Sequence, residues 1–224
     1  MSNSKSESMK HLFQFALPVL LGCTVLVSCE KKEASPQMRL CDTEYFYYAS
    51  AGVKVNLKQS LSEMWIVFGE DEITKEDAES ILNKYSFIEY NVLNNNYSKV
   101  WVRLKENSAD CATMNNYLKI LNEDDEIYSA TPLFYLVEND LSSYFILISE
   151  VLTKNNESLI SEPDFIDYVE SMNLELVGES YNIQYFKVKE VVTGFESLEM
   201  ANQIYESGKA EYAEPNGIVN FVLH

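Results

Sequence analysis

The 224-residue chain carries 17 Lys and Arg against 35 Asp and Glu, a formal charge of −18, with 46% apolar and 12% aromatic residues. That balance argues against nucleic acid or a bare anionic membrane as partner, because phosphate binding needs clustered Lys and Arg; the apolar content is that of a globular chain. Histidine occurs only at His11 and His224, which speaks against a buried Ser-His-Asp or Cys-His device and against a multi-histidine metal site, so neither metal nor cofactor is expected.

Residues 1–28 read as a lipoprotein signal peptide. Met9-Lys10-His11 is a short basic start, followed over 12–27 by a nearly continuous apolar run broken by Gln14, Gly22 and Thr24. Small residues then precede Cys29 in Leu26-Val27-Ser28-Cys29, completing the layout of a secretory signal. The competing reading is a transmembrane anchor, but the run of 16 residues falls short of the ~20 that span a bilayer. Met9 suits a start better than Met1, since residues 1–8 are polar, and Cys23 is a poorer cleavage point because more apolar sequence follows it. A cysteine just after Leu-x-Ser resembles the bacterial lipoprotein pattern. That resemblance implies lipidation of Cys29 and a mature chain held in the cell envelope, on the periplasmic or surface face of the outer membrane, by a lipid anchor alone. Residues 29–41 form a polar tether opening with Glu30-Lys31-Lys32-Glu33, a spacer or a surface-export signal.

With Cys29 acylated, Cys41 and Cys111 remain. They either pair in an oxidising periplasm or stand as two unrelated thiols, and both readings are open. No C-x-x-C exists, which excludes a zinc ribbon.

The folded part begins at residue 42. Tyr45-Phe46-Tyr47-Tyr48, a break at Gly52 and the alternating Val53-Lys54-Val55-Asn56-Leu57 predict a β-hairpin turning over 49–52. Its aromatic cluster suits either packing on a neighbouring sheet or a carbohydrate platform. Met64-Trp65-Ile66-Val67-Phe68 predicts a separate short buried strand. Thr74 caps a helix with acidic residues in its first turn and Ala78, Ile81, Leu82 and Tyr85 at helical spacing. A hairpin follows, from an extended stretch over 87–93 through Asn94-Asn95-Asn96 to Val100-Trp101-Val102-Arg103-Leu104. Ser108-Ala109-Asp110 opens a second helix with Cys111, Met114, Tyr117, Leu118 and Leu121 on one stripe, and 126–136 closes the unit as a strand containing Ala130-Thr131-Pro132.

After the polar break Glu138-Asn139-Asp140 the pattern restarts: a strand over 144–152, a polar loop over 153–159, and a helix begun by Ser161-Glu162-Pro163-Asp164 with Phe165, Ile166, Val169 and Met172 on its stripe. Two strands, 174–181 and 183–190, precede a helix capped by Ser197 and ended at Gly208. Ala210 to Ala213 is the last strand, stopped by Pro215. The expected fold is therefore α+β: two tandem ferredoxin-like βαββαβ units, residues 42–137 and 138–224, the first preceded by the β-hairpin. No enzyme is expected, because no carboxylate pair stands out in so acidic a chain.

Ala201-Asn202-Gln203-Ile204-Tyr205-Glu206-Ser207-Gly208, followed by Glu211-Tyr212-Ala213-Glu214-Pro215-Asn216, resembles the end of a subtilisin-like serine protease prodomain. The likeness is to the fervidolysin-like type and to the N-terminal regions of Bacteroidetes subtilisin-like proteases. Those regions are also similar to residues 44–57, and the resemblance covers most of 42–216. Family chains continue into a catalytic domain, whereas neither a Gly-Thr-Ser-Met segment nor the histidine motif stands in this sequence. The resemblance thus implies the prodomain fold, a subtilisin-like serine protease as partner, and none of the protease chemistry.

In the family the prodomain sheet packs on the protease and the C-terminal tail lies in the substrate cleft as an added strand, a β-augmentation. Here that tail is Gly217-Ile218-Val219-Asn220-Phe221-Val222-Leu223-His224, ending like a bound cleavage product. Glu211 and Glu214 would cap helix N-termini on the partner. Against these stand solvated surface charge for the two glutamates and, for the tail, a terminal strand packed on its own domain. Three functions follow: a membrane-tethered protease inhibitor or folding assistant, a cell-surface lipoprotein binding another protein or a glycan, and a precursor remnant without independent activity.

Overall fold

The computed structural model describes residues 38–69, 73–89, 97–106, 108 and 110–220. Cys29, the signal segment, the turn at 94–96 and residues 221–224 lie outside the described residues. The described chain is α+β, with antiparallel strand pairings throughout.

Strand β1 (Tyr45–Ala49) turns through a single 3-10 turn at Ser50–Gly52 into β2 (Val53–Phe68). The hairpin is as expected, but β2 is one strand of 16 residues where two were predicted. Its alternation is interrupted because it bulges. Gln59 faces Phe134 and Met64 faces Pro132, so residues 60–63 stand against Leu133 alone. The N-terminal segment fills that gap: Leu40 bridges Ser60, Cys41 N–H donates to Gln59 O, and Leu61 N–H donates to Arg39 O.

Helix α1 (Lys75–Leu82) starts where the Thr74 side chain accepts the Asp77 N–H, and α2 (Cys111–Asn122) where the Asp110 carboxylate accepts the Thr113 N–H. Between them lie β3 (Ile88–Glu89) and β4 (Lys99–Leu104); β5 (Ile127–Tyr135) follows. The second run comprises β6 (Tyr144–Asn155), α3 (Glu162–Glu170), β7 (Leu174–Ser180), β8 (Ile183–Val188), α4 (Glu196–Glu206) and β9 (Ala210–Val219). Ser161 caps α3 with Pro163 in its first turn, and Gly208 takes a φ of +73° just past α4, a backbone that side chains disfavour.

Two expectations give way here. Ser197 does not cap α4: it sits inside the helix and its hydroxyl donates to Ile148 O, while Glu196 instead gathers the N–H groups of Val192, Thr193 and Gly194. Pro215 does not stop the last strand, which runs on to Val219. Proline cannot donate to a ladder, so a strand tolerates it where the pairing is already irregular. Opposite Pro215 the register of β6 jumps, Leu147 facing Gly217 and Val151 facing Pro215. Pro132 sits against the bulge of β2 in the same way.

Within the first run the strand order is β3-β4-β2-β5; β6 then pairs with β8, β8 with β7, and β9 with β6. Because β9 follows one edge of β6 at both Phe145–Leu147 and Val151–Asn155, β5 and β8 share the other edge. Strand β5 takes Tyr144 to Ile146, and β8 takes Glu150 to Thr153. The two halves of the sheet therefore splay from a common strand, and the Tyr128 hydroxyl spans the gap to Val188 O at 2.7 Å.

Alternation along the strands sorts side chains into two layers. Met64, Ile66 and Phe68 of β2 pack with Ala78, Leu82, Met114 and Leu118 of the first two helices. Phe186 and Val188 pack with Phe165, Val169, Ala201 and Ile204 of the last two. Of the β1 aromatics, Tyr45 and Tyr47 pack on the core, Tyr45 stacking on Phe195 at 5.0 Å and Tyr47 on Phe145 at 5.7 Å, while Tyr48, on the other side of the strand, stacks on Tyr205 at 4.7 Å. Cys41 and Cys111 are joined by a disulfide with Cα atoms 5.2 Å apart, tying the segment before the hairpin to the first residue of α2.

Candidate binding face

No helix among the described residues lies on the other layer. Trp65, Leu133, Tyr135 and Ile146 form its buried centre, with Met38, Leu40, Val67, Trp101, Tyr144 and Ile148 packed around them. Alternation in β2 and β4 dictates this: if Met64, Ile66, Val100 and Val102 meet helices, Trp65 and Trp101 must face the opposite way. A carboxylate is buried at its margin. Glu63 accepts from the Tyr135 hydroxyl at 2.5 Å and from Arg103 Nε at 3.1 Å, so both of its oxygens are paired. Burial, then the Glu63 bond, pushes the Tyr135 phenol well above its ordinary pKa.

Where β5 and β8 part, the face opens into a cleft of about 520 Å³. Trp65 and Ser129 are among the residues that line it. Val177 and Ile218 stand on its rim at 51% and 41% exposure. Lys187 Nζ lies 4.0 Å over the Tyr128 ring, and Glu150 accepts from the Asn216 amide at 2.8 Å. Burial first, then the Glu150 and Glu175 carboxylates, raises the Tyr128 pKa. At the far end of the β5–β6 hairpin, Leu136, Val137 and Leu141 are exposed.

The residues singled out in the sequence fall in different places. Gly217, Ile218 and Val219 are the end of β9, facing Leu147, Ile146 and Phe145 of the chain's own β6; Asn220 follows, exposed, and residues 221–224 are outside the described residues. A Cβ on Gly217 would stand 2.5 Å from the Phe145 ring, so only glycine lets β9 lie this close. Glu211 is exposed and pairs with Lys154 at 2.7 Å. Glu214 is half-buried and faces the hairpin turn. Burial raises its pKa, against hydrogen bonds from the Tyr212 hydroxyl and the Ser50 N–H. Tyr45 and Tyr47 are occupied with core packing, whereas Phe46 and Tyr48 meet edge to face beneath Lys54, with Phe46 O accepting from Asn202 Nδ2 at 2.8 Å. The helix-free face was not singled out from sequence. Its available signal was the pair of tryptophans set in alternation with the Met64 and Val100 stripes.

No helix among the described residues is long and apolar enough to cross a membrane, and no group of three or more His, Cys, Asp or Glu among them is arranged to hold a metal ion. Comparison with protein-family models, with curated proteins and with solved structures finds no match.

Proposed function

We propose that the chain is a lipid-anchored, non-catalytic protein that docks a subtilisin-like serine protease on its helix-free sheet face, inhibiting the protease or assisting its folding. The observation that carries this reading is the face itself: an apolar sheet layer that no helix among the described residues covers, with Val177 and Ile218 exposed beside it, running into the strand that ends at Val219. Two repeated strand orders support reading the fold as tandem ferredoxin-like units. Numbered within each run, both β3-β4-β2-β5 and β7-β8-β6-β9 follow the order second, third, first, fourth.

Docking on a preformed sheet loses little conformational entropy. Because Gly217 to Val219 are already laddered to β6, the added strand of a β-augmented complex would begin at Asn220. The Cys41–Cys111 bridge supports an oxidising compartment, in keeping with lipidation of Cys29 and export to the cell envelope.

The test is inhibition of a panel of subtilisin-like proteases by the protein spanning residues 30–224. Nanomolar to micromolar inhibition is expected, weakened by Ile218→Glu and Val177→Lys on the face and by deletion of residues 221–224. Absence of both inhibition and complex formation across the panel would sink the reading. Lipidation is tested separately: Cys29→Ala is expected to abolish incorporation of labelled palmitate and release the protein from membranes.

A further inference from the structure

A second cleft, of about 370 Å³, lies between α2 and α4. It is lined by Tyr45 of β1, by Asn115, Asn116 and Lys119 of α2, by Thr193 and Phe195 just before α4, and by Glu199 in the first turn of that helix. Part of this lining is already committed. Asn115 accepts from Gln59 Nε2 at 2.8 Å and donates to the Tyr45 oxygen at 3.4 Å. The Thr193 hydroxyl donates to Glu196 and accepts the Phe195 N–H, and both Glu196 oxygens are taken by the segment 192–194. Four groups make no hydrogen bond or ion pair of their own among the described residues: the Tyr45 hydroxyl proton, the Asn116 side-chain amide, the Lys119 ammonium and the Glu199 carboxylate.

The arrangement narrows the ligand. Lys119 and Glu199 are the charged residues of the lining, opposite in sign, both exposed, and not joined to each other. Asn116 and Lys119 stand three residues apart and so share one face of α2. An anion therefore meets an ammonium, an amide and a phenol O–H from α2 and β1, while a cation meets Glu199 from α4. Burial, then the Glu196 carboxylate, raises the Glu199 pKa, so a ligand cation would relieve its ionised form. The stacked Tyr45 and Phe195 rings, 5.0 Å apart, supply apolar surface. A ligand with a single charge leaves the opposite residue unmatched, and a wholly apolar one matches neither. An α-amino acid in its zwitterionic form carries both charges on one carbon, with a side chain left for the rings, and it fits a cleft of this size.

We infer that this cleft binds a free α-amino acid with an apolar side chain, its carboxylate on Lys119 and Tyr45 and its ammonium on Glu199. The site lies on the helix side of the sheet, where Tyr45 and Phe195 pack, and is independent of docking on the helix-free face. A bound amino acid would tie the first run of the chain to the second.

The experiment titrates the 15N-labelled protein spanning residues 30–224 with L-leucine and with L-phenylalanine, and then with leucinamide, N-acetylleucine and glycine. Saturable shifts of the Asn116 and Glu199 amide resonances are expected for leucine or phenylalanine, with a Kd below about 1 mM. Leucinamide lacks the carboxylate, N-acetylleucine lacks the ammonium and glycine lacks the side chain. Each is expected to bind at least about tenfold more weakly, because each loses a charge-assisted hydrogen bond or an apolar contact. Lys119→Met is expected to erase the preference for leucine over leucinamide, and Glu199→Gln the preference over N-acetylleucine. Both side chains are exposed, so neither variant is expected to lower the thermal midpoint. No saturable shift at those amides with either amino acid, equal binding of any of the three analogues, or survival of a preference in its variant each overturns the inference. Inhibition of a protease bears on the helix-free face alone, so either proposal can fail while the other stands.

Discussion

Replacing both Cys41 and Cys111 by Ala tests whether the N-terminal segment belongs to the fold or merely lies on it. The bridge closes a loop with a sequence separation of 70. In the chain-entropy account, a loop of that size restricts the unfolded ensemble by about 4 kcal/mol at 25 °C. A domain commonly has ~5–15 kcal/mol in total, so the loss is a large share of stability and corresponds to a fall of ~10 °C in the melting midpoint for a chain of this length. Chemical denaturation of the protein spanning residues 30–224 measures it, with the oxidised parent, the dithiol-reduced parent and the double variant compared under one buffer. Reduction and substitution are expected to agree, since Cys41 is small and its burial contributes little beyond the cross-link. A loss under ~1 kcal/mol in both would refute the reasoning, because the loop would then be constrained already without the bridge.

Further outcomes follow from single contacts. Gly217→Ala brings a methyl onto the Phe145 ring and is expected to cost about 1–3 kcal/mol, read as a lower denaturation midpoint; an unchanged midpoint would mean that β9 lifts off β6 freely. Tyr135→Phe takes one of two partners from the buried Glu63 carboxylate and is expected to cost about 2 kcal/mol, whereas Arg103→Met, at the exposed partner, should cost less. Stability should also fall at high pH. The Tyr135 phenol is held protonated above its ordinary value of 10.0, so below pH 10 its contribution is complete. Above that pH the unfolded chain ionises while the folded one does not, and stability declines by up to about 1.4 kcal/mol per pH unit. Tyr135→Phe should flatten that decline, and an equal slope in the variant would assign it to other groups.

Local chemistry made part of this fold legible in the sequence. Thr74, Asp110 and Ser161 are side chains that cap helices within their own few residues, and the turn at Ser50–Gly52 is set by neighbours in sequence. The misreadings arise where a distant segment decides. Gln59 to Ser62 lack strand alternation because their partner is the segment at 39–41 and not β5 alone. Pro215 looks like a strand end until the bulge in β6 removes the demand for its missing N–H. Ser197 looked like a cap by type, but its hydroxyl is taken by Ile148 O some fifty residues away in sequence. The candidate cleft belongs with these. It exists only because β5 and β8 divide one edge of β6.

The disulfide also has a mechanical side. A pull arriving through a lipid anchor would enter the body at residues 38–41, and the bridge passes the load directly to the start of α2. Everything between the two cysteines, the hairpin, α1, β3 and β4 included, then lies off the force-bearing path. Stretched between the anchor and β9, the oxidised protein would lengthen by about 240 Å less than the reduced one, the contour of the 70 residues bypassed. If the proposed anchor holds the protein while the proposed partner is dragged past, strands β1 to β4 stay out of the line of tension.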